Sequence, residues 1–184
     1  MRRFVLIVLV IALFVAAAAL AACGGDGSKL PGGLPAATDA IKLSSPTIQE
    51  GGAISPLYTC DGSDTSPPLR WSRPPAGTKS LALLMLDLDA SNFVHWAMFD
   101  IVPSINSLGE GVVPPGAEQG ENSFGHKYYN GPCPPEGKPH RYQFALYALK
   151  AASGLENGAS AADVRDAIDR LKLARGMLSG TFGR

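Results

Sequence analysis

The chain has 184 residues, 46% of them hydrophobic and 17% charged, with a net charge of zero. That is enough apolar material for one hydrophobic core, and it excludes a disordered chain or a basic nucleic-acid-binding one.

The N-terminus stands apart. Arg2 and Arg3 precede an unbroken run of apolar and small residues from Phe4 to Ala22 that stops at Cys23, the pattern of a targeting segment. Leu20-Ala21-Ala22-Cys23 resembles the bacterial lipoprotein signal, in which cleavage before the cysteine accompanies attachment of a diacylglyceryl group to its sulfur. The alternative is an uncleaved transmembrane anchor, since nineteen apolar residues just span a bilayer. Small residues crowd the cysteine and a glycine-rich segment follows, so we expect residues 1–22 to be a lipoprotein signal peptide and Cys23 to be lipidated. Two or more acyl chains would hold the protein on the outer face of a bacterial membrane, where one is marginal. Loss of residues 1–22 leaves fourteen basic residues against sixteen acidic ones, which offers nucleic acid no basic patch. Residues 23–40 are glycine, proline and small polar residues with no apolar period, as in a flexible tether. No internal repeat is visible, and residues 41–184 read as one domain.

Within the domain, Ile41-Leu43 and Leu69-Trp71 are short strand candidates. Ser80-Leu-Ala-Leu-Leu-Met-Leu-Asp87 is a continuous apolar run, as in a strand buried on both faces, and His95-Trp-Ala-Met-Phe-Asp-Ile101 is similar. Alternation in His140-Arg-Tyr-Gln-Phe-Ala-Leu-Tyr-Ala-Leu149 puts His140, Tyr142, Phe144 and Leu146 on one face and Arg141, Gln143 and Ala145 on the other. One helix is expected, capped by Ser160 with Asp163 three residues on, and carrying Val164, Ala167, Ile168, Leu171 and Ala174 at helical spacing. Met177-Phe182 reads as an edge strand. Strands separated by Pro/Gly-rich loops, with a late helix, predict a mainly antiparallel β domain.

With Cys23 assigned to lipid, Cys60 and Cys133 remain. An even pair outside the cytoplasm reads as a disulfide. The rival, a nucleophilic cysteine, lacks a helix N-terminus or lysine cluster to favour a thiolate. Three polar groups sit at strand ends and can converge on one pocket: Asp87-Leu-Asp-Ala-Ser91, His95-Trp96, and His140-Arg-Tyr142, which follows the proline-rich loop Tyr129-Asn-Gly-Pro-Cys-Pro-Pro-Glu-Gly-Lys-Pro139. Taken singly, a strand-end aspartate is a turn residue and a lone histidine a satisfied polar group. Trp71 and Trp96 read as core, and Trp96 could also wall the site. Asn122 and Phe124 are turn and packing residues or the pocket's edge, and His126 and Lys127 are loop residues.

Eight short motifs in order carry a resemblance. Tyr58-Thr-Cys-Asp-Gly62, Ser66-Pro-Pro-Leu-Arg-Trp71, Pro75-Ala-Gly-Thr-Lys-Ser-Leu81, Asp87-Leu-Asp-Ala90, His95-Trp96, Gly131-Pro-Cys-Pro-Pro135, His140-Arg-Tyr142 and Leu178-Ser-Gly-Thr-Phe-Gly-Arg184 resemble the phosphatidylethanolamine-binding protein family in its bacterial Raf-kinase-inhibitor-like (YbhB/YbcL) branch. The resemblance implies a large antiparallel sheet packed on a smaller one with a few peripheral helices, and an anion pocket at one end. Carried over residue by residue, it implies ligand-binding roles for Asp87 and Asp89 of the acidic motif, His95, the loop wall Gly131 and Pro132, and His140 and Tyr142. It also supports the Cys60–Cys133 bridge, and implies an open site without an extra C-terminal helix. Leu88 and Ser91 stand where the family usually has proline, which leaves the stiffness of that turn as a question.

In such a pocket Asp87 repels phosphate, while His95, His140, the Tyr142 hydroxyl and backbone N–H groups around Gly131 are candidate donors. A monoanionic or zwitterionic ligand, such as phosphate or a phosphoethanolamine-like head group, fits better than a polyanion. The expected function is therefore a membrane-anchored binding protein with no cofactor, possessing a small-ligand pocket and open to a protein partner. Competing readings are a protease or kinase inhibitor acting through a protein surface, and a hydrolase using Asp87 and His140. The hydrolase lacks a G-x-S-x-G elbow, and His95, His126 and His140 form no H-E-x-x-H or Cys/His metal motif.

Overall fold

The computed structural model describes residues 38–184. The expected signal peptide, Cys23 and nearly all of the expected tether lie outside the described residues.

The elements run β1 (Thr38–Asp39), β2 (Leu43–Ser44), β3 (Gly52–Ala53), a 3-10 turn (Pro56–Tyr58), β4 (Leu69–Trp71), β5 (Ser80–Asp87), β6 (Phe93–Ile101), β7 (Ser107–Leu108), β8 (Glu118–Gln119), β9 (His140–Leu149), α1 (Ala161–Leu171) and β10 (Lys172–Phe182). A seven-stranded sheet has the order β1-β10-β9-β5-β6-β8, with β3 also pairing β10, and a three-stranded sheet has the order β2-β4-β7. All pairs are antiparallel except those of β1 and β3 with β10. The domain is mainly β, two sheets with one α-helix among the described residues.

Three layers follow from the residue pattern. Every residue of β5 is buried, with Leu81, Leu83 and Met85 turned toward Leu43, Leu69, Trp71 and Leu108 of the small sheet. The alternate residues Ala82, Leu84 and Leu86 pack with Val164, Ile168 and Leu171 of α1. β9 obeys the same alternation, sending Tyr142, Phe144 and Leu146 one way and Ala145, Tyr147 and Leu149 the other. Ser160 caps α1 as the sequence predicts: its Oγ accepts from the Asp163 N–H at 3.1 Å and donates to Asp163 Oδ2 at 2.7 Å.

Several boundaries differ from expectation: the first short strand candidate, Ile41-Leu43, is Leu43–Ser44, and β6 begins at Phe93 instead of His95. Thr38 and Asp39, expected in the tether, pair with Ala174 and Arg175 of β10. The helix stops at Leu171, so Ala174 is buried by strand alternation and not by helical spacing. β10 spans eleven residues and is no bare edge, because β9 flanks it on one side and β1 and β3 on the other.

β6 carries two irregularities that matter for the site. Its pairing with β5 runs Met85↔Trp96 and then Leu86↔Val94, so His95 is an extra residue in the ladder. A bulge of this kind breaks the two-residue period and re-aims a side chain. It lets His95 join Phe93 and Trp96 on the small-sheet side, where its ring meets those of Phe93 and Tyr142. The second irregularity lies between Leu81 and Leu83. There Asp100 takes φ 54°, and its carboxylate receives the Ser153 N–H at 2.7 Å and the Ser153 hydroxyl at 2.6 Å.

A candidate ligand pocket at the ends of three strands

β5 ends where β6 and β9 begin, and Asp87 is in register with both Phe93 and Tyr142. A cavity of about 180 Å³ opens there. Its polar groups are Asp87, His95, His140 and Tyr142, and its apolar wall includes Ala90, Phe93 and Phe124. The opposite wall is Cys133, Pro134 and Pro135 of the proline-rich loop.

Asp87 is the centre of the arrangement, only 3% exposed. Its Oδ1 accepts the N–H groups of Asp89 at 2.9 Å and Ala90 at 3.1 Å, a local turn that aspartate favours. Its Oδ2 lies 2.7 Å from His140 Nδ1. A carboxylate only accepts, so Nδ1 carries the proton and Nε2 is the ring's free nitrogen.

His95 is fixed in the same sense. Its Nδ1 lies 2.9 Å from the Asn130 carbonyl oxygen and 3.1 Å from that of Gly131, and carbonyls also only accept. Burial holds its pKa below the ordinary 6.5, against the opposing pull of those carbonyls and of Asp87. The neutral ring therefore presents Nε2 as an acceptor. The Tyr142 hydroxyl is buried without a hydrogen-bond partner in good geometry. Burial first, and the Asp87 charge second, keep it protonated far above its ordinary range. In its neutral form the His95 ring thus offers the pocket an acceptor, where the sequence suggests a donor.

The turn after β5 answers the question raised by Leu88 and Ser91. Ser91 sits at φ 54° and Asn92 at φ 59°, a region closed to proline, whose φ is locked near −65°. The Leu88 N–H donates to the Arg141 carbonyl at 2.9 Å, a bond that proline would lack. Stiffness here comes from hydrogen bonds: those to Asp87, Phe93 N–H to the Ala90 carbonyl at 3.0 Å, and Arg165 to the Asn92 carbonyl.

Three expected ligand contacts fall outside the pocket lining. Asp89 turns to the opposite side of the β9 backbone and accepts Arg141 N–H at 2.8 Å, Nε–H at 3.1 Å and a terminal guanidinium N–H at 3.2 Å. Gly131 and Pro132 stand one layer behind the wall. The Gly131 N–H is spent on Asp64 Oδ1 at 2.6 Å, and the Pro132 carbonyl accepts Cys60 N–H at 3.2 Å. A Cβ at residue 131 would overlap the Tyr58 carbonyl oxygen and lie 2.8 Å from Thr59 Cα. Its glycine serves close approach to that segment and not to a ligand.

Cys60 and Cys133 form the disulfide that the sequence predicts, and Cys133 lines the pocket. The sequence reading did not find Phe93, whose inward face depends on the bulge, and left Phe124 undecided. Phe124 packs edge-on to both Phe93 and His95. Its loop is organised by buried Asn122, which accepts Phe124 N–H and His126 N–H and donates to the carbonyls of His95 and Tyr128. Trp96 is core: its indole N–H donates to Gln119 on the side away from the histidine pocket. Among the described residues, no three His, Cys, Asp or Glu side chains are gathered to hold a metal ion, and no helix is long and apolar enough to cross a membrane.

The family model described as phosphatidylethanolamine-binding protein matches residues 44–183. A UPF0098 protein of Methanothermobacter thermautotrophicus is 42% identical over 151 residues, covering 78% of this chain and 99% of its own. A Mycobacterium tuberculosis protein named "Putative lipoprotein LppC" is 36% identical over 186 residues, covering 94% of this chain and 92% of its own. The crystal structure of Escherichia coli YbcL, described as a new member of the mammalian PEBP family, matches with a TM-score of 0.74 at 32% identity, over 78% of this chain and 98% of that one. The strand-end pocket, the two-sheet fold and these likenesses agree: the chain belongs to the phosphatidylethanolamine-binding protein family.

Proposed function

We propose that this family member is a membrane-tethered, extracytoplasmic binding protein whose pocket takes a small monoanionic or zwitterionic head group. The observation that carries the reading is the 2.7 Å contact between His140 Nδ1 and Asp87 Oδ2. With the Nδ1 proton committed to Asp87, His140 donates to an anion only after Nε2 is protonated as well. The groups facing it are the Asp87 carboxylate, the neutral His95 ring and the Tyr142 hydroxyl, and of these only the hydroxyl can donate without proton uptake. An ammonium, by contrast, finds the carboxylate and two ring nitrogens as acceptors. A zwitterion satisfies both halves.

The tether is supported by the run ending at Cys23 and by a relative named as a lipoprotein that covers nearly the whole chain. Turnover is no part of this reading, because the pocket's one sulfur is oxidised in the Cys60–Cys133 bridge and the Tyr142 hydroxyl is held protonated by burial and by the Asp87 charge. The test is a titration with inorganic phosphate and with phosphoethanolamine, followed at the His140 and His95 ring signals. Saturable shifts at His140 are expected with both ligands. A His140 ring that ignores both ligands overturns the reading, and hydrolysis of a phosphoester panel by the purified protein would replace it with an enzyme.

A further inference from the structure

Among the described residues, two buried side-chain polar atoms lack any hydrogen-bond partner: the Tyr142 hydroxyl and Arg165 Nε. The first faces the pocket. The second belongs to a neighbouring cleft of about 370 Å³ between the β5–β6 turn and the first turns of α1. The two cavities share Ala90 and Phe93 as a common wall.

The chemistry of the two cavities is opposite. No carboxylate lines the cleft, and its charge is the half-buried Arg165 guanidinium. Among the described residues no carboxylate lies within ion-pair distance of that group, and Asp169 acts on it only at longer range. One of its terminal nitrogens donates to the Asn92 carbonyl, which leaves the Nε–H unspent. Ser123 adds a second donor, because its Oγ accepts Val94 N–H at 2.9 Å and its own proton is not used by that bond. The bond to Asn92 uses one terminal N–H of the guanidinium, and the remaining terminal N–H groups are left for a ligand oxygen in the cleft that Arg165 lines. Arginine's planar fork suits a phosphate or carboxylate in particular.

We propose that this cleft is a second anion subsite, with Arg165 and Ser123 as its donors, and that it receives a phosphate or carboxylate group one side chain away from the Asp87 pocket. The subsite stands whatever occupies that pocket. A ligand long enough to pass Phe93 can engage both cavities at once.

The test is a titration of the folded, disulfide-bonded protein with inorganic phosphate and separately with acetate, read at the Arg165 Nε–H signal. Sodium chloride at matched ionic strength is the control. A saturable shift is expected with a Kd of about 1–10 mM, the strength of a few charge-assisted contacts. Phosphate is expected to exceed acetate. Read at the Ser123 amide, which both variants keep, Arg165→Gln should abolish the response and Arg165→Lys should retain it weakened, while the His140 response to phosphate should survive in both. No saturable shift by about 100 mM, or an equal shift with chloride, overturns the subsite. So does loss of the His140 response in both variants, which would make Arg165 only a clamp on the turn. Since the two signals are separate, failure at Arg165 leaves the pocket reading untouched, and failure at His140 leaves this one.

Discussion

Two side-chain pairs leave the same short turn and meet consecutive residues of the same strand. Asp87 meets His140, and Asp89 meets Arg141. Because successive residues of a strand face opposite sides, the first pair falls inside and the second outside. The side chains of Asp87 and His140 are 5% and 20% exposed, whereas those of Asp89 and Arg141 are 28% and 62% exposed. The lesson is that face and not charge decides the role. The outer pair is a screened clamp that pins the turn to β9. The inner pair fixes where a proton sits, and so decides which ligands the pocket accepts.

The largest way to blur this difference is to open the wall that keeps the inner pair from water. Cys60 and Cys133 are 73 residues apart, and removing their bond is expected to cost about 4 kcal/mol from chain entropy alone. A Cys60→Ala/Cys133→Ala variant should show that loss as a lower urea midpoint, with weakened phosphate response at His140. An unchanged midpoint would mean that the wall is held by its prolines and by Arg184, which pairs with Asp61 at 3.3 Å.

Next in size is the inner pair itself. Asp87→Ala removes three hydrogen bonds to a buried carboxylate and should destabilise by about 3 kcal/mol. Asp87→Asn is more informative. An amide N–H facing His140 Nδ1 reverses the tautomer and places the proton on Nε2, while the repelling charge disappears. Affinity for inorganic phosphate at neutral pH should then rise by about tenfold, equivalent to ~1.4 kcal/mol, and lose most of its pH dependence. A fall in affinity would show that phosphate needs the charged His140–Asp87 pair intact.

The main strands and the inner site were legible because they depend on local pattern. β5 reads as a two-faced apolar run, β9 as an alternating one, and Asp87, His95, His140 and Tyr142 stand at strand ends where a sheet must gather them. What was not legible depends on contacts distant in sequence. The inward face of Phe93 requires the bulge at His95, which local alternation does not announce. The outward turn of Asp89 is seen only in its hydrogen bonds to Arg141, 52 residues away. Gly131 looks like a ligand-approach glycine until Tyr58 and Asp64 are seen against it. Ala174 satisfies a helical period and a strand period alike, and only the break at Lys172 decides between them.

Acid separates the inner and outer residues without mutation. Burial depresses the His95 pKa, so below the ordinary 6.5 the unfolded chain takes up a proton that the folded ring refuses. Stability should begin to fall as pH drops through about 6.5, and long-range proton–nitrogen spectra at pH 6.5 should show His95 mostly neutral, with its proton on Nδ1. A mostly charged ring at that pH would contradict His95 as an acceptor.

The smallest effect belongs to the outer pair. Hydrogen bonds from Arg141 lower the Asp89 pKa below its ordinary 3.8, so its contribution is present above that value and fades as pH falls further. Exposure to solvent screens the pair. Asp89→Asn should therefore shift the urea midpoint only slightly at pH 7, leave it unchanged near pH 2, and leave phosphate binding at neutral pH intact. The measurement is the difference in midpoint between variant and parent across that range. If Asp89→Asn instead weakens phosphate binding as strongly as His140→Ala, the strand face does not insulate the two aspartates, and the turn must be counted as part of the ligand site.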